Sequence, residues 1–351
     1  MDHGIDSYLT LYEIPLYDFG GFDAGDAGRS GPTSIPMTAQ PATRSIDKLM
    51  TAQEAVARYV RPGSVLGMGG QNIGRCPMAL THEIIRQRIG GLTVAGCNLS
   101  IAMDQLVGAG LVSRCICGSG NLERFGTTFC WRRAIEEGTL QVDDYSHLAM
   151  VTRFLAGEMG VPFMPTRSLL GSDLLPRAPE SSPGARPGKA LVIDNPWAPG
   201  EPVVLVPALE PDVSIVHVQR ADRMGNLVIE GFSTHEPEMI RASRHVIASC
   251  EELVSTDEIR AHPEQTSIPF LYVSAVVVQP FGAYPTSVHR YYDYDAAHVS
   301  AYQAAARAGA PAVAEYLNAH VWGCAGFDDH LARTAGPDTL EGLRQAMQAI
   351  V

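Results

Sequence analysis

No stretch of the 351-residue sequence reaches the roughly 18 consecutive apolar residues of a membrane-spanning helix. Positive charge is also scarce. There are 26 lysines and arginines against 38 aspartates and glutamates, a net charge of −12. This argues against a nucleic-acid groove, which needs a basic face. A phosphorylated ligand stays open, because local arginines can act against a negative background. The seven cysteines form no CxxC pair, and Cys115-Ile116-Cys117 alternates inside an apparent strand. That pattern suits buried, reduced thiols of a cytoplasmic protein better than a disulfide framework or a zinc site. His82, His217 and His289 have no metal-ligand spacing and no HExxH helix exists, so no metal site is expected. The N-terminus has early acidic residues and no basic-then-apolar signal, so no export signal is expected.

What is present is a regular alternation. Residues 1–45 are rich in Gly, Pro, Ser, Thr and Ala and read as a flexible or partner-docking extension; Tyr8–Tyr12 is its apolar patch. A domain is expected over 46–298. It opens with a helix on which Thr51 is the N-cap and Glu54 closes a capping box. A strand over 65–68 and a helix over 77–88 follow. "LTVAG" and "RCICGSG" read as strands, "AMDQLVGAG", "FCWRRAIEEG" and "YSHLAMVTRFLAGEMG" as helices. Short apolar runs between amphipathic helices predict an α/β fold with a mostly parallel sheet flanked by helices. Residues 176–201 form a Pro/Gly-rich excursion with one short strand. Closely spaced strands come next, with a helix near 237–243. Residues 299–351 are alanine-rich and predict a helical segment packed on the domain.

The stretch "GMGGQNIGRCP", residues 67–77, follows the first strand and precedes a helix. Such a turn can aim backbone N–H groups at a ligand, at the positive end of a helix dipole. It is not a phosphate loop, since no lysine follows Gly74. It is not a dinucleotide loop either, since Asn72 replaces the last glycine of GxGxxG. "RPGSVLGMGGQNIGRCPMAL" resembles the N-terminal signature of class I CoA-transferases. "DYSHLAMVTRFLAGEMGVPFMPTRSLLGSDL", "IDNPWAPGEPVVLVPALEPDVSIVHVQRADRMGN", "EELVSTDEIRAHPEQTSIPFLYVSAVVVQPFGAYPTS" and "YYDYD" are similar, in order, to the α subunit of glutaconate CoA-transferases. The resemblance runs from about Lys48 to about Asp295. It departs at Gln71, where the family usually has Phe.

The resemblance implies the NagB/RpiA/CoA-transferase-like fold. It also implies a heterodimer or α2β2 heterotetramer with a β-type subunit that carries the attacking glutamate. CoA thioester would be a substrate and no cofactor would be permanently bound; a small acid, dicarboxylates included, would be the second substrate. The loop Gly69, Gly70, Gln71, Asn72, with Arg75, would form the wall facing that glutamate. Ring-cleaving acyl-CoA hydrolysis, decarboxylation of a glutaconyl-type thioester and a non-catalytic binding subunit are the alternative readings. Two residues of this chain are candidate catalytic groups: Glu123, in the loop "CGSGNLERFG", and His147, at the start of "SHLAM". The bland readings are a solvated loop carboxylate, or a partner for Arg124, and a helix-end polar residue. Ser119, Gly120 and Asn121 are candidate donors beside Glu123, and Ser172 in "LLGSDL" is a candidate for the acyl pocket or for a turn cap. Deleting residues 1–44 is expected to leave the following domain folded. A melting temperature within a few degrees of the full chain would agree, and a large drop would refute it.

Overall fold

The fold begins, at Thr51, with the reciprocal cap that the sequence predicts. The Glu54 N–H donates to Thr51 Oγ1 at 3.1 Å, and the Thr51 N–H donates back to Glu54 Oε2 at 3.0 Å. The structure is a computed structural model that describes residues 46–175 and 188–349. The extension over 1–45, with its Tyr8–Tyr12 patch, and the first part of the Pro/Gly-rich excursion lie outside the described residues. In chain order come α1 (Ala52–Tyr59), β1 (Val65–Met68), α2 (Met78–Arg86), β2 (Leu92–Leu99), α3 (Ile101–Gly108), β3 (Val112–Gly120) and α4 (Phe129–Glu136). Then β4 (Gln141–Asp144), α5 (His147–Glu158), β5 (Phe163–Thr166), β6 (Leu191–Asn195), β7 (Ala198–Pro207), β8 (Val213–Asp222) and β9 (Leu227–Val228). The last part holds α6 (Glu236–Ala242), β10 (His245–Val254), α7 (Thr256–Ala261), β11 (Ala275–Val278), α8 (Ala296–Ala308), α9 (Ala310–Leu317), α10 (Phe327–Thr334) and α11 (Gly336–Gln348).

The main sheet runs β11-β10-β8-β1-β2-β3-β4, and every neighbouring pair on that path is parallel. β9 adds antiparallel to β8, and β5-β7-β6 form a separate small antiparallel sheet. The chain moves outward from β1 through β2, β3 and β4, then returns to the other side of β1 as β8. The strand order therefore reverses at β1, which is where open α/β sheets form their ligand crevice, outside the carboxyl ends of the strands.

Side chains alternate along a strand, so each central strand feeds two cores. Cys115 and Cys117 of β3 join a core with Ile84, Leu106, Tyr302 and Leu317, built with α2, α3, α8 and α9. Ile116, between them, joins the opposite core with Phe154, Met239 and Ile240, built with α5 and α6. Both faces are covered, as a parallel sheet requires. All seven cysteines are free and buried, and burial pushes Cys76, Cys117, Cys130 and Cys250 up to about 12. They are packing residues rather than reactive thiols. No helix among the described residues is long and apolar enough to cross a membrane.

Three details differ from the sequence-based expectations. Pro77 is the N-cap of α2, with a non-helical ψ of 64°, rather than its first helical residue. β4, "QVDD", is a partly exposed edge strand with too little apolar patterning to read as one. α7, "TDEIRA", is a short helix capped by Ser255, whose Oγ accepts from the Glu258 N–H at 3.1 Å.

The C-terminal helices bring four histidines together. His82 of α2 and His330 of α10 meet at 4.8 Å between ring centroids. His298 of α8 meets His320 at 5.1 Å, and His330 lies 5.7 Å from His320. Burial holds His82 well below its ordinary range and pushes His298 down to about 4 and His330 down to about 3; the neighbouring rings and Arg86 act in the same direction. Folded values below the unfolded value of about 6.5 mean that stability is fully present above pH 6.5 and is lost as pH falls below it. Each such histidine contributes on the order of 1 kcal/mol per pH unit in that window. Buried Asp104, pushed up to about 6, runs the other way and offsets one of them between about pH 6 and 4. The melting temperature is therefore expected to drop steadily from pH 7 to pH 4.5. In His330→Asn the slope should be shallower; an unchanged slope would remove this cluster as its cause.

Candidate functional site

The loop after β1 is shaped by a buried ion pair. Arg75 is 5% exposed and Glu236, the first residue of α6, 1%. Arg75 Nη1 donates to Glu236 Oε1 at 3.0 Å and to the His217 carbonyl at 3.1 Å. Arg75 Nη2 pairs with Glu236 Oε2 and donates to the Phe232 carbonyl at 2.9 Å. Burial alone would raise the Glu236 carboxyl; the Arg75 charge and the Gly70 N–H, 3.0 Å away, outweigh it and hold the carboxyl below its ordinary range. The adjacent His235 donates its Nε2–H to the Met68 carbonyl at 3.1 Å, tying α6 to the end of β1. Gly70 has φ +81°, and a Cβ there would lie 2.7 Å from the Arg75 carbonyl oxygen, so the turn needs glycine on both counts.

These contacts occupy most of the loop's N–H groups. Gly69 donates to Ile215 O at 2.9 Å, Gly70 to Glu236, Gln71 to Gly74 O at 2.9 Å, and Gly74 to Gln71 O at 2.8 Å. Arg75 donates to Ser287 O at 2.7 Å and Cys76 to Thr286 Oγ1 at 3.1 Å. The expectation that Gly69, Gly70 and Gln71 present amides to a ligand is therefore corrected. Among the described residues, the loop amides with no protein acceptor are those of Asn72 and Ile73. Arg75, expected in the wall that faces the partner's glutamate, has its guanidinium engaged inside the loop by Glu236 and two carbonyls.

A row of side chains crosses the carboxyl ends of β1, β2 and β3. Asn72 Nδ2 donates to Glu123 Oε1, and Asn98 Nδ2 donates to Asn72 Oδ1. Ser119 Oγ donates to Asn98 Oδ1 at 2.7 Å and lies 3.1 Å from His147 Nε2. A hydroxyl has one proton to give, so Ser119 accepts from His147, and Nε2 is the protonated ring nitrogen. Asn121 Oδ1 accepts the Glu123 N–H at 2.8 Å, and Asn121 Nδ2 reaches Asn98 Oδ1 at 3.5 Å. Asn72 and Glu123 hold left-handed φ of 52° and 50°, a conformation that is rare outside glycine and concentrates at functional sites. Gly118 makes room for the far end of the row, since a Cβ there would lie 2.3 Å from His147 Cδ2. His147 itself follows the N-cap Ser146, whose Oγ accepts from the Ala149 N–H at 3.1 Å.

The structure thus gathers Asn72, Ser119, Asn121, Glu123 and His147 into one network, with Gln71 beside it. Gly120 contributes backbone, its carbonyl accepting from Thr128 Oγ1 at 3.2 Å. Ser172 stands apart: its Oγ donates to Leu169 O at 2.7 Å within a turn, the capping alternative of the sequence reading. Sequence reasoning missed Asn98, the hub of the row; its signal is a lone amide at the end of the apolar run "LTVAGCNL". It also missed Glu236, whose importance comes only from a distant arginine. "YYDYD" divides its roles: Tyr292 is buried on Glu251 Oε1 at 2.7 Å, Asp295 caps α8, and Asp293 and Tyr294 line the cleft described next. No group of three metal-ligating side chains occurs among the described residues.

The row opens on a cleft of about 580 Å³ lined by Gln71, Asn72, Ile73, Gly74, Arg75 and Glu123 on one side and by Glu230, Phe232, Ser287, His289, Asp293 and Tyr294 on the other. A larger cavity of about 900 Å³ lies between α1, α2 and α10 and includes none of the row. Size does not locate the site here; the strand-order reversal and the ordered polar groups do. Within the cleft Gln71 Oε1 is buried without a hydrogen-bond partner.

The crevice is a ligand-sized cleft at the switch point of an α/β sheet, and two of its loop amides have no acceptor among the described residues. Residues 49–279 match the family model for Coenzyme A transferase, so the chain belongs to that family. It is 38% identical over 304 residues to an uncharacterized protein of Archaeoglobus fulgidus; the match covers 86% of this chain and 65% of that relative. It is 34% identical over 264 residues to the A subunit of glutaconate CoA-transferase from Acidaminococcus fermentans, covering 71% of this chain and 80% of the relative. The crystal structure of glutaconate CoA-transferase from Acidaminococcus fermentans superposes with a TM-score of 0.78 at 31% identity, covering 84% of this chain and 95% of that one.

Breaking the buried pair on one side leaves a charge without a partner or water. Arg75→Met is expected to destabilise the fold by about 3–5 kcal/mol, and Arg75→Met with Glu236→Met by much less. Urea unfolding of the two variants checks this; equal losses would mean that the pair's charge is not what fixes the loop.

Proposed function

We propose that this chain is the α-type subunit of a heteromeric CoA-transferase that moves CoA between an acyl-CoA and a small acid. The observation that carries the proposal is the pair of unsatisfied amides, Asn72 and Ile73, at the mouth of the cleft. They are fixed there by the strapped loop and stand beside the oriented row that ends at Glu123. Thioester exchange through a partner glutamate needs such donors. The glutamate oxygen attacks the thioester carbon, and the carbonyl oxygen takes up negative charge. As that charge returns, CoA leaves as a thiolate and an acyl-glutamyl anhydride remains. The thiolate then attacks the glutamyl carbonyl, releasing the first acid and leaving glutamyl-CoA for the second. Amides that are already in place stabilise each oxyanion without reorganising. Glu123 lines the cleft beside these amides, and Asn72 holds it in position. His147 closes the far end of the row and orients it through Ser119.

Co-expression with a β-type subunit should give exchange of CoA between an acyl-CoA and free acids. Release of free CoA without exchange would replace transfer by hydrolysis. Asn98→Ala, which cuts the row without touching the cleft amides, is expected to lower kcat on the order of 100-fold with little change in KM, and to lower the melting temperature by several degrees because buried partners of Asn98 lose their hydrogen bonds. Unaltered kcat would separate the row from the chemistry.

A further inference from the structure

The wall of the cleft that faces the glycine loop is held from behind. Gln219 of β8 is fully buried, and its amide is spent on backbone. Its Oε1 accepts the Glu230 N–H at 3.0 Å, and its Nε2 donates to the Glu230 carbonyl at 2.9 Å and to the His289 carbonyl at 3.4 Å. The turn that carries His289 is closed on itself. Val288 donates to the Tyr292 carbonyl at 2.9 Å and accepts from the Tyr292 N–H at 3.0 Å, around Arg290 with a left-handed φ of 70°. Gly231, with φ +82°, lies under the His289 side chain: a Cβ there would stand 2.9 Å from His289 Cδ2. The imidazole therefore rests on bare backbone and has no room to retreat. It is exposed to the cleft, and neither ring nitrogen has a protein partner among the described residues. The Glu230 carboxylate on the same wall is taken by Arg220 at 2.9 Å and by Arg290 at 3.2 Å.

We infer that His289 is a specificity-determining residue of the cleft, and that its imidazole pairs with an oxo or hydroxyl oxygen on the acyl chain held there. This rests on the acyl-transfer reading of the site and deepens it. The exchange trades carboxylates and a thiolate and moves no proton, so it asks for no imidazole base on this wall. Recognition is what remains for a ring that is fixed and reachable. A neutral imidazole carries one N–H and one lone pair, so it gives to a carbonyl and either gives to or takes from a hydroxyl. A plain alkyl chain in the same place covers the ring and leaves it unpaired. A site built around a polar group discriminates against the analogue that lacks its partner.

The test is calorimetric titration of the complex with its β-type subunit, using stable thioethers of CoA with pentyl, 4-oxopentyl and 4-hydroxypentyl groups. At least one of the two oxygen-bearing thioethers should bind on the order of tenfold more tightly than the pentyl one. His289→Phe, which keeps a ring and removes both nitrogens, should erase that difference. Gly231→Ala, which displaces the ring, should reduce it. Equal binding of the three by the native complex, no binding by any of them, or a preference that survives in His289→Phe overturns the inference. The exchange assay is read separately. A preference that His289→Phe erases, without CoA exchange by any acid, would remove the transferase reading and leave the recognition intact.

Discussion

A guanidinium shut away from water holds the site together. Arg75 and Glu236 lie 161 positions apart in sequence and meet in the interior, where each would be intolerable alone. Their pairing does more than neutralise two charges. Two further Arg75 contacts fix the carbonyls of β8 and of the segment before α6, and Glu236 takes the N–H of Gly70. The β1 loop, the switch-point strands and the start of α6 are thereby one unit. The left-handed turn that swings the Asn72 side chain toward Asn98 and Glu123 follows from that unit.

Around this pair the sheet does what covered parallel sheets do. It turns each strand's alternation into two cores, one under α2, α3, α8 and α9 and one under α5 and α6. Rigidity on both faces matters for the row of side chains, since its members come from two strands, two loops and a helix start. Strain of order 1 kcal/mol at each of Asn72 and Glu123 persists only because the neighbours over-determine their positions.

Much of this was legible in the sequence, for identifiable reasons. The parallel sheet announced itself because β2, β8 and β10 are continuous apolar runs between helices. The capping box at Thr51 is a local interaction, and local interactions are readable from spacing. Asn72 and Glu123 could be singled out because each sits in a loop that follows a readable strand; His147 came from the resemblance alone. The edge strand β4 was not readable, because half of its surface faces solvent. Asn98 was hidden by a rule that is sound on average: a single amide in an apolar strand reads as noise until its partners are known. The Arg75–Glu236 pair was the least accessible of all. Arg75 entered only through the resemblance, as part of the loop wall, and nothing local reports that a glutamate from α6 arrives to take it.

The row from His147 to Glu123 has a sense of direction. His147 gives to Ser119, Ser119 to Asn98, Asn98 to Asn72 and Asn72 to Glu123, so the bond dipoles add instead of cancelling. The anion at one terminus is what selects this orientation over its mirror sense. If Glu123 becomes a carboxylic acid, it can offer a proton where it had accepted one, and each amide can turn over in sequence. A local event in the cleft is then legible at the start of α5, across the ends of three strands, as a reversal of polarity with no shift in the backbone.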